Sequence, residues 1–165
     1  MYPHNHLNLK YVLKHRPAAS AIITGSDAHP AIKGTVYFFE AQNGVLVLAE
    51  VFGLPAPDDV CKSPFFGMHI HEGGECSGNE SDPFANARSH YNPDNCAHPH
   101  HAGDLVPLLG SNGYAFLSFY TNRFLINEII GKTIVIHKNP DDFTTQPAGN
   151  SGTKIACGVI MASSK

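Results

Sequence analysis

The sequence Phe66-Gly67-Met68-His69-Ile70-His71 is typical of a β-strand and contains two histidines. Residues i and i+2 of a strand project from the same face, so His69 and His71 are expected to point side by side. Six of the chain's 11 histidines lie in residues 67–104, among many glycine, asparagine, proline and aspartate residues. Two neutral imidazoles aimed at one point are what a chelating metal site requires.

Further candidate metal ligands lie in the long segment that follows this strand and in one later strand. They are His90, His98, His100, His101, Asp104 and His137. Three histidines with one aspartate suit tetrahedral zinc, whereas four imidazoles in a tetragonal arrangement suit copper(II). One histidine could serve two such sites if it used both ring nitrogens as a bridge.

The remaining chain consists of short apolar runs separated by turn signals. Strands are predicted at 19–24, 31–40, 45–52, 67–71, 114–121, 133–138 and 155–161. Asn43-Gly44 is a strong hairpin signal between two of them. Long loops, such as those after residue 71 and over 141–153, are usually functional in compact domains. The pattern predicts an all-β antiparallel sandwich or barrel with two long functional loops.

Length, charge and hydropathy restrict the class of protein. A chain of 165 residues is long enough for one domain with a buried core, and we predict an N-terminal extension over 1–18 and a barrel domain over 19–165. The net charge is -3 with neutral histidines, and no basic run is present. Nucleic acid is therefore not an expected partner. No apolar stretch approaches the roughly 20 residues of a membrane span.

The sequence leaves the compartment and the state of the cysteines open. Residues 1–17 lack the apolar core of a signal peptide, which favours a cytoplasmic protein, or a periplasmic or extracellular one if numbering starts after processing. The four cysteines, Cys61, Cys76, Cys96 and Cys157, lack the CxxC spacing of a zinc ribbon. Buried free thiols and two disulfides are both compatible with this spacing.

Four blocks of sequence together resemble the copper/zinc superoxide dismutase family. They are Gly67-Met68-His69-Ile70-His71, Ser89-His90-Tyr91-Asn92-Pro93, His101-Ala102-Gly103-Asp104-Leu105 and Gly149-Asn150-Ser151-Gly152-Thr153-Lys154-Ile155-Ala156-Cys157-Gly158. The resemblance extends in order from about residue 18 to 161, and the shortened zinc and electrostatic loops are those of a bacterial-type member. It implies an eight-stranded Greek-key β-barrel, also described as an immunoglobulin-like sandwich. It also implies bound copper and zinc, and dismutation of superoxide to dioxygen and hydrogen peroxide.

The same resemblance implies a metal ligand set. The residues that match copper ligands are His69, His71, His90 and His137, and those that match zinc ligands are His90, His98, His101 and Asp104. His90 is the shared, catalytic ligand, which leaves copper and takes up a proton in the family mechanism. Asp141 matches a carboxylate that links one histidine of each metal and thereby fixes their ring tautomers. His100 has no counterpart.

Three further expectations follow from the resemblance. Cys76 and Cys157 match the family disulfide, and Cys61 with Cys96 is a possible second pair. Lys154 stands where the family usually has arginine, and we expect it to guide the anionic substrate. A homodimer is possible, although family members pair through different faces.

A second class of function stays open, because a fold does not settle a function. The alternative is a non-catalytic copper-binding or copper-delivery module on the same fold. Relatives that have lost activity usually lack one or more copper ligands. This chain keeps all four matching histidines, so the enzyme is the favoured hypothesis.

Overall fold

The computed structural model describes residues 12, 14–57, 59 and 64–163. Its strands are β1 (Ala19–Gly25), β2 (Lys33–Ala41), β3 (Gly44–Phe52), β4 (Phe65–Phe66), β5 (Met68–His71), β6 (Leu108–Leu109), β7 (Tyr114–Thr121), β8 (Thr133–His137) and β9 (Lys154–Ala162). A short helix, α1 (Ile126–Ile129), and a 3-10 turn (Ala85–Ala87) complete the described elements. Most of the predicted extension at 1–18 lies outside the described residues, so the domain division stays a prediction.

The strands form where apolar residues alternate with residues that face solvent. In β1, Ala19, Ala21 and Ile23 are fully buried, whereas Ile22 between them is 75% exposed. In β3, Val45, Val47, Ala49 and Val51 form the predicted buried face. These faces join one apolar cluster with residues of β2, β5, β8 and β9, so the sheet curls around a single core.

Both asparagine-glycine pairs lie at tight hairpin turns. Ala41 pairs with Gly44 across the first turn, and Asn43 adopts a φ of 60°. Ser111 bridges to Tyr114 across the second, where Asn112 and Gly113 have φ values of 50° and 79°. Asparagine and glycine tolerate this left-handed backbone better than other residues, and it matches the twist of paired strands.

The main sheet is antiparallel and contains seven strands in the order β5-β8-β9-β1-β2-β3-β7, with β4 and β6 as a separate pair. Several hydrogen-bonded neighbours, such as β3 with β7 and β9 with β1, are not consecutive in the chain. Long connections therefore cross between them, as in a Greek key. The predicted all-β fold is confirmed, and the curled sheet is consistent with the expected barrel. Among the described residues, the barrel expected from the resemblance consists of seven main-sheet strands and a separate two-stranded pair.

The long loop after β5 folds back onto that strand. His71 bridges to His90 and His69 to Asp104, so loop residues lie directly beside the strand histidines. The Ile70 N–H donates to the Gly103 carbonyl at 2.9 Å, and the Ile70 carbonyl accepts from Tyr91 N–H at 2.8 Å. Gly103 allows this close approach, because a Cβ there would collide with the Ile70 carbonyl oxygen. The edge strand thus becomes one wall of a polar site.

A disulfide ties the same loop to the last strand. Cys76 and Cys157 are bonded, with an 81-residue separation in sequence, which confirms the predicted pair. The bond packs beside Phe84, Ala87 and Val135. Cys96 is exposed and is free in the structure. Cys61 lies outside the described residues, so the Cys61–Cys96 pair remains a prediction.

Among the described residues, no helix is long and apolar enough to cross a membrane.

Candidate metal centre

Two groups of buried donor side chains lie together in the space between β5, β8 and the long loop. Within each group, the candidate donor atoms lie within 4.8 Å of one another. The first group is His69, His71, His90 and His137, and the second is His90, His98, His101 and Asp104. His90 belongs to both. The structure therefore brings the sequence-predicted ligand residues together, while His100 is exposed and belongs to neither group.

Three histidines of the first group, the four-histidine cluster, are each held through one ring nitrogen. His71 Nδ1 lies 2.8 Å from the Arg88 carbonyl oxygen, and His137 Nδ1 lies 3.2 Å from the Gly152 carbonyl oxygen. A carbonyl only accepts, so both Nδ1 atoms carry the proton and both Nε2 atoms keep a free lone pair. These two Nε2 atoms are 3.2 Å apart. His69 is held from the other side, with its Nε2 2.7 Å from Asp141 Oδ2.

His90 belongs to both groups, and its two ring nitrogens have different surroundings. Its Nδ1 is 2.7 Å from Asp104 Oδ1, and its ring stacks on that of His69 with centroids 3.9 Å apart. Its Nε2 is buried without a hydrogen-bond partner. A single imidazole is therefore placed to contact both clusters.

The second group, the His3Asp cluster, is built around one carboxylate. Asp104 Oδ2 accepts the His101 backbone N–H at 3.0 Å. The same oxygen lies 3.1 Å from His98 Nδ1 and 3.2 Å from His101 Nδ1. The three imidazoles thus surround a carboxylate in the donor set that tetrahedral zinc prefers.

Unpartnered buried nitrogens test whether these clusters fit metal ions. His69 Nδ1, His90 Nε2 and His98 Nδ1 are buried and have no hydrogen-bond partner, although Asp104 Oδ2 lies within ion-pair distance of the last. Buried polar atoms normally have a hydrogen-bond partner, because burying one without a partner destabilises the folded protein. All three residues belong to the two clusters. The four-imidazole set fits copper and the His3Asp set fits zinc.

Burial lowers the pKa of three imidazoles of the four-histidine cluster, those of His69, His71 and His137. Loss of solvent lowers the pKa of His137 to about 3, with further lowering by the nearby His69. The same desolvation holds the pKa of His71 well below its usual value. Desolvation also lowers the pKa of His69, although its hydrogen bond to Asp141 opposes the shift. Neutral rings retain the lone pairs that a metal ion needs.

Asp141 connects the two clusters from outside. Its Oδ2 lies 2.7 Å from His69 Nε2 and its Oδ1 lies 2.9 Å from His98 Nε2, one histidine of each cluster. Burial alone would raise the pKa of Asp141, but hydrogen bonds from His69, the Phe143 N–H and His98 lower it to about 2. Gly149, with φ of 65°, packs against this carboxylate where a Cβ would collide with Asp141 Oδ1.

A cavity of about 530 Å³ opens onto the four-histidine cluster. His71, His90 and His137 line it together with Glu72, Arg88 and Lys154. Lys154 is not free in this cavity, because its Nζ lies 2.6 Å from Asp82 Oδ2 and 3.1 Å from the Phe84 carbonyl oxygen. The cavity is a route by which a small solute could reach His90 and His137.

Arg123 is a contact of the His3Asp cluster that the sequence did not indicate. Its Nη1 donates to the carbonyl oxygens of Pro99, His101 and Asp104. No motif surrounds this arginine, and its partners lie 19 to 24 residues away in the chain. Only the fold reveals the contact.

Comparisons with known proteins agree with this geometry. Residues 32–160 match the family model described as copper/zinc superoxide dismutase (SODC). The chain is 36% identical to superoxide dismutase (Cu-Zn) of Deinococcus radiodurans, over 79% of this chain and 78% of that protein. It is 34% identical to superoxide dismutase (Cu-Zn) 2 of Aquifex aeolicus, over 77% and 78%. It is 32% identical to superoxide dismutase (Cu-Zn) of Caulobacter vibrioides, over 87% of this chain and 85% of that protein. The chain, with its two buried clusters joined at one histidine, therefore belongs to the copper/zinc superoxide dismutase family.

Proposed function

We propose that this protein is a superoxide dismutase that converts superoxide to dioxygen and hydrogen peroxide. The observation that supports it best is the shared His90, which joins a four-histidine cluster to a His3Asp cluster. An open cavity leads to the four-histidine cluster, whereas a purely structural metal site is normally closed. Family membership agrees with this activity.

Each of the two clusters would bind one metal ion. His69, His71, His90 and His137 would hold copper, and His90, His98, His101 and Asp104 would hold zinc. Bound copper supplies the alternating one-electron chemistry, and bound zinc supplies charge and order beside it. The carbonyls of Arg88 and Gly152 and the carboxylate of Asp141 keep the rings in the correct tautomers and orientations.

His90 is the residue best placed to handle a proton. Its Nδ1 side is held at 2.7 Å from Asp104, while Nε2 has no protein partner. Nε2 can therefore accept a proton and return it without rotation of the ring. Because His90 also lines the cavity, the returned proton can reach a substrate-derived oxygen there. Peroxide formation needs two protons, and solvent in the open cavity provides the second.

The proposal is tested by reconstituting the protein with one equivalent each of copper and zinc. We expect superoxide consumption far above that of the same concentration of free copper. A non-catalytic delivery module would instead surrender its copper quickly to a competing chelator and would show no activity above free copper. That pair of results would reject the enzyme in favour of the alternative.

Lys154 is proposed to attract the anionic substrate. Its ion pair with Asp82 provides a second position at which this attraction can be changed. Electrostatic steering is an established property of this family and contributes roughly 10- to 1,000-fold to association rates. Removing one cavity cation in Lys154→Ala should lower the second-order rate several-fold without changing metal content. Lys154→Arg should match or exceed the wild type. The rates are compared at low and high ionic strength, since salt screens the attraction.

Asp82→Asn is the matched variant for this prediction. It removes the anion that lies 2.6 Å from Lys154 and leaves the lysine unpaired, so its rate should rise. Raising the salt concentration should slow the wild type more than Lys154→Ala. Equal rates and equal salt slopes in wild type and Lys154→Ala would leave Lys154 as an ordinary structural charge, with Arg88 as the other cation of the cavity.

Asp141 is proposed to control zinc binding from outside the metal. In Asp141→Asn the amide can accept a hydrogen bond from only one of His69 and His98, because its nitrogen can only donate. Zinc affinity should fall by about 10- to 100-fold, the range seen when such partners of metal ligands are lost. Competition with a zinc chelator measures it. An unchanged affinity would remove Asp141 from the site.

We also propose that the protein forms a homodimer. Phe52, Tyr114 and Phe116 on β3 and β7 are 44%, 37% and 56% exposed. The rings of Phe52 and Tyr114 lie 5.2 Å apart, and Phe116 is two residues from Tyr114 in β7, so the three exposed rings could be covered by a second copy. Sedimentation of wild type and Phe116→Lys tests this, and two monomeric samples would refute it.

A further inference from the structure

The Arg123 guanidinium contacts residues 99–104 of the long loop after β5, which contains all four proposed zinc ligands. Its Nη1 lies 3.2 Å from the Pro99 carbonyl oxygen, 3.4 Å from that of His101 and 3.1 Å from that of Asp104. All three acceptors are backbone carbonyl oxygens of the loop. Carbonyl groups of an irregular loop need such partners, because no strand ladder satisfies them.

Arg123 itself is anchored in the barrel. It lies between β7 and α1, and its N–H donates to Thr121 Oγ1 at 3.2 Å. The next residue, Phe124, is 2% exposed and belongs to the main apolar cluster. A guanidinium that starts from this position links the loop to the rigid part of the fold.

The contacted carbonyls belong to the turn that aims two proposed ligands. Within this turn, Asp104 Oδ2 accepts the His101 N–H at 3.0 Å, and the His101 carbonyl accepts the Asp104 N–H at 3.2 Å. Arg123 holds the outer side of the same turn. The His101 imidazole and the Asp104 carboxylate are therefore supported by a backbone that is fixed independently of any metal ion.

We propose that Arg123 is a positioning residue that preorganises the zinc ligands His101 and Asp104. The inference rests on the proposed assignment of the His3Asp cluster to zinc. An arginine suits this task because its planar, permanently charged group offers several donors in a fixed geometry. All three contacts come from Nη1, which the guanidinium holds in a fixed plane, whereas a lysine ammonium is a compact point charge on a flexible stem.

Arg123 is expected to have two opposite effects on the rate of zinc release, so the direction of the change shows which effect dominates. A positive charge near the site repels a divalent cation, so its removal alone would slow zinc release. Loss of the carbonyl contacts loosens the ligand turn and would speed release. Arg123 is exposed, so solvent and salt screen its charge, and we expect loss of positioning to dominate.

The test measures zinc release from copper- and zinc-loaded protein into an excess of a chromogenic chelator. Arg123→Gln should release zinc about tenfold faster, at the lower limit for lost outer partners of metal ligands. Arg123→Lys keeps the charge and should fall between Arg123→Gln and wild type. Arg16→Gln, which removes an exposed arginine that contacts none of these carbonyls, should behave as wild type.

Copper release and the unfolding temperature of metal-free protein separate positioning from general stability. Both should change little in Arg123→Lys, while zinc release still accelerates. Unchanged or slower zinc release in Arg123→Gln and Arg123→Lys would overturn the proposal, as would parallel losses of zinc, copper and metal-free stability. Wild-type protein that binds zinc but does not consume superoxide would instead reject the proposed function and leave the Arg123 result standing.

Discussion

Replacing His137 with alanine is expected to abolish superoxide dismutation while zinc remains largely bound. His137 belongs to the four-histidine cluster, and its Nε2 lies 3.2 Å from that of His71. Its removal leaves three imidazoles where copper(II) favours four in a tetragonal arrangement. The His3Asp cluster contains no contribution from His137, so zinc should be retained. Metal analysis and a superoxide-consumption assay on the same sample measure both effects.

His100→Ala is the control for this experiment. His100 is a neighbour of the proposed ligand His101, but it is exposed and belongs to neither cluster. Its loss should leave copper content, zinc content and activity unchanged. Full activity in His137→Ala, or an equal loss of activity in His100→Ala, would contradict the proposed copper ligand set.

Removing the Cys76–Cys157 disulfide is expected to cost about 4 kcal/mol of unfolding free energy in the chain-entropy model. The closed loop spans an 81-residue separation and includes most proposed metal ligands, so the open unfolded chain gains much freedom. The double variant Cys76→Ser/Cys157→Ser avoids a new unpaired thiol. Denaturant unfolding of metal-free protein isolates this contribution from metal binding, which would otherwise add its own stabilisation.

Cys96→Ser is the matched control for the disulfide. Cys96 is exposed and forms no disulfide with another described cysteine, so its replacement should leave the unfolding free energy nearly unchanged. A loss comparable to that of the double variant would instead indicate the Cys61–Cys96 bond. Titration of thiols in denatured, unreduced protein gives a second measure. Four free thiols in that titration, or a double variant as stable as wild type, would contradict stabilisation by the Cys76–Cys157 disulfide.

Much of the fold follows from local sequence. Alternating burial in β1 and β3 and the two asparagine-glycine turns give strand positions to within a few residues, because these signals depend on neighbours in the chain. The short helix α1 was not predicted. It spans four residues, Ile126–Ile129, which is too few for a helical period to be visible in the sequence.

The candidate site was predictable through the family motifs, whereas its supporting contacts were not. The motifs named the ligand residues together with Asp141, and the structure brings these residues into contact. The Lys154–Asp82 ion pair joins residues 72 apart, and the Arg123 contacts join two loops that touch only after folding. Neither arrangement follows from spacing along the chain, because each depends on how long loops return to the barrel.

One imidazole, that of His90, is proposed to join a copper site to a zinc site. The most direct test loads the protein with copper and replaces zinc by paramagnetic cobalt(II), followed by electron paramagnetic resonance of the copper(II). We expect one metal ion per cluster and a copper signal that is strongly diminished by coupling through the shared ring. A copper signal unchanged by cobalt, with both metals bound in full, would contradict a shared His90.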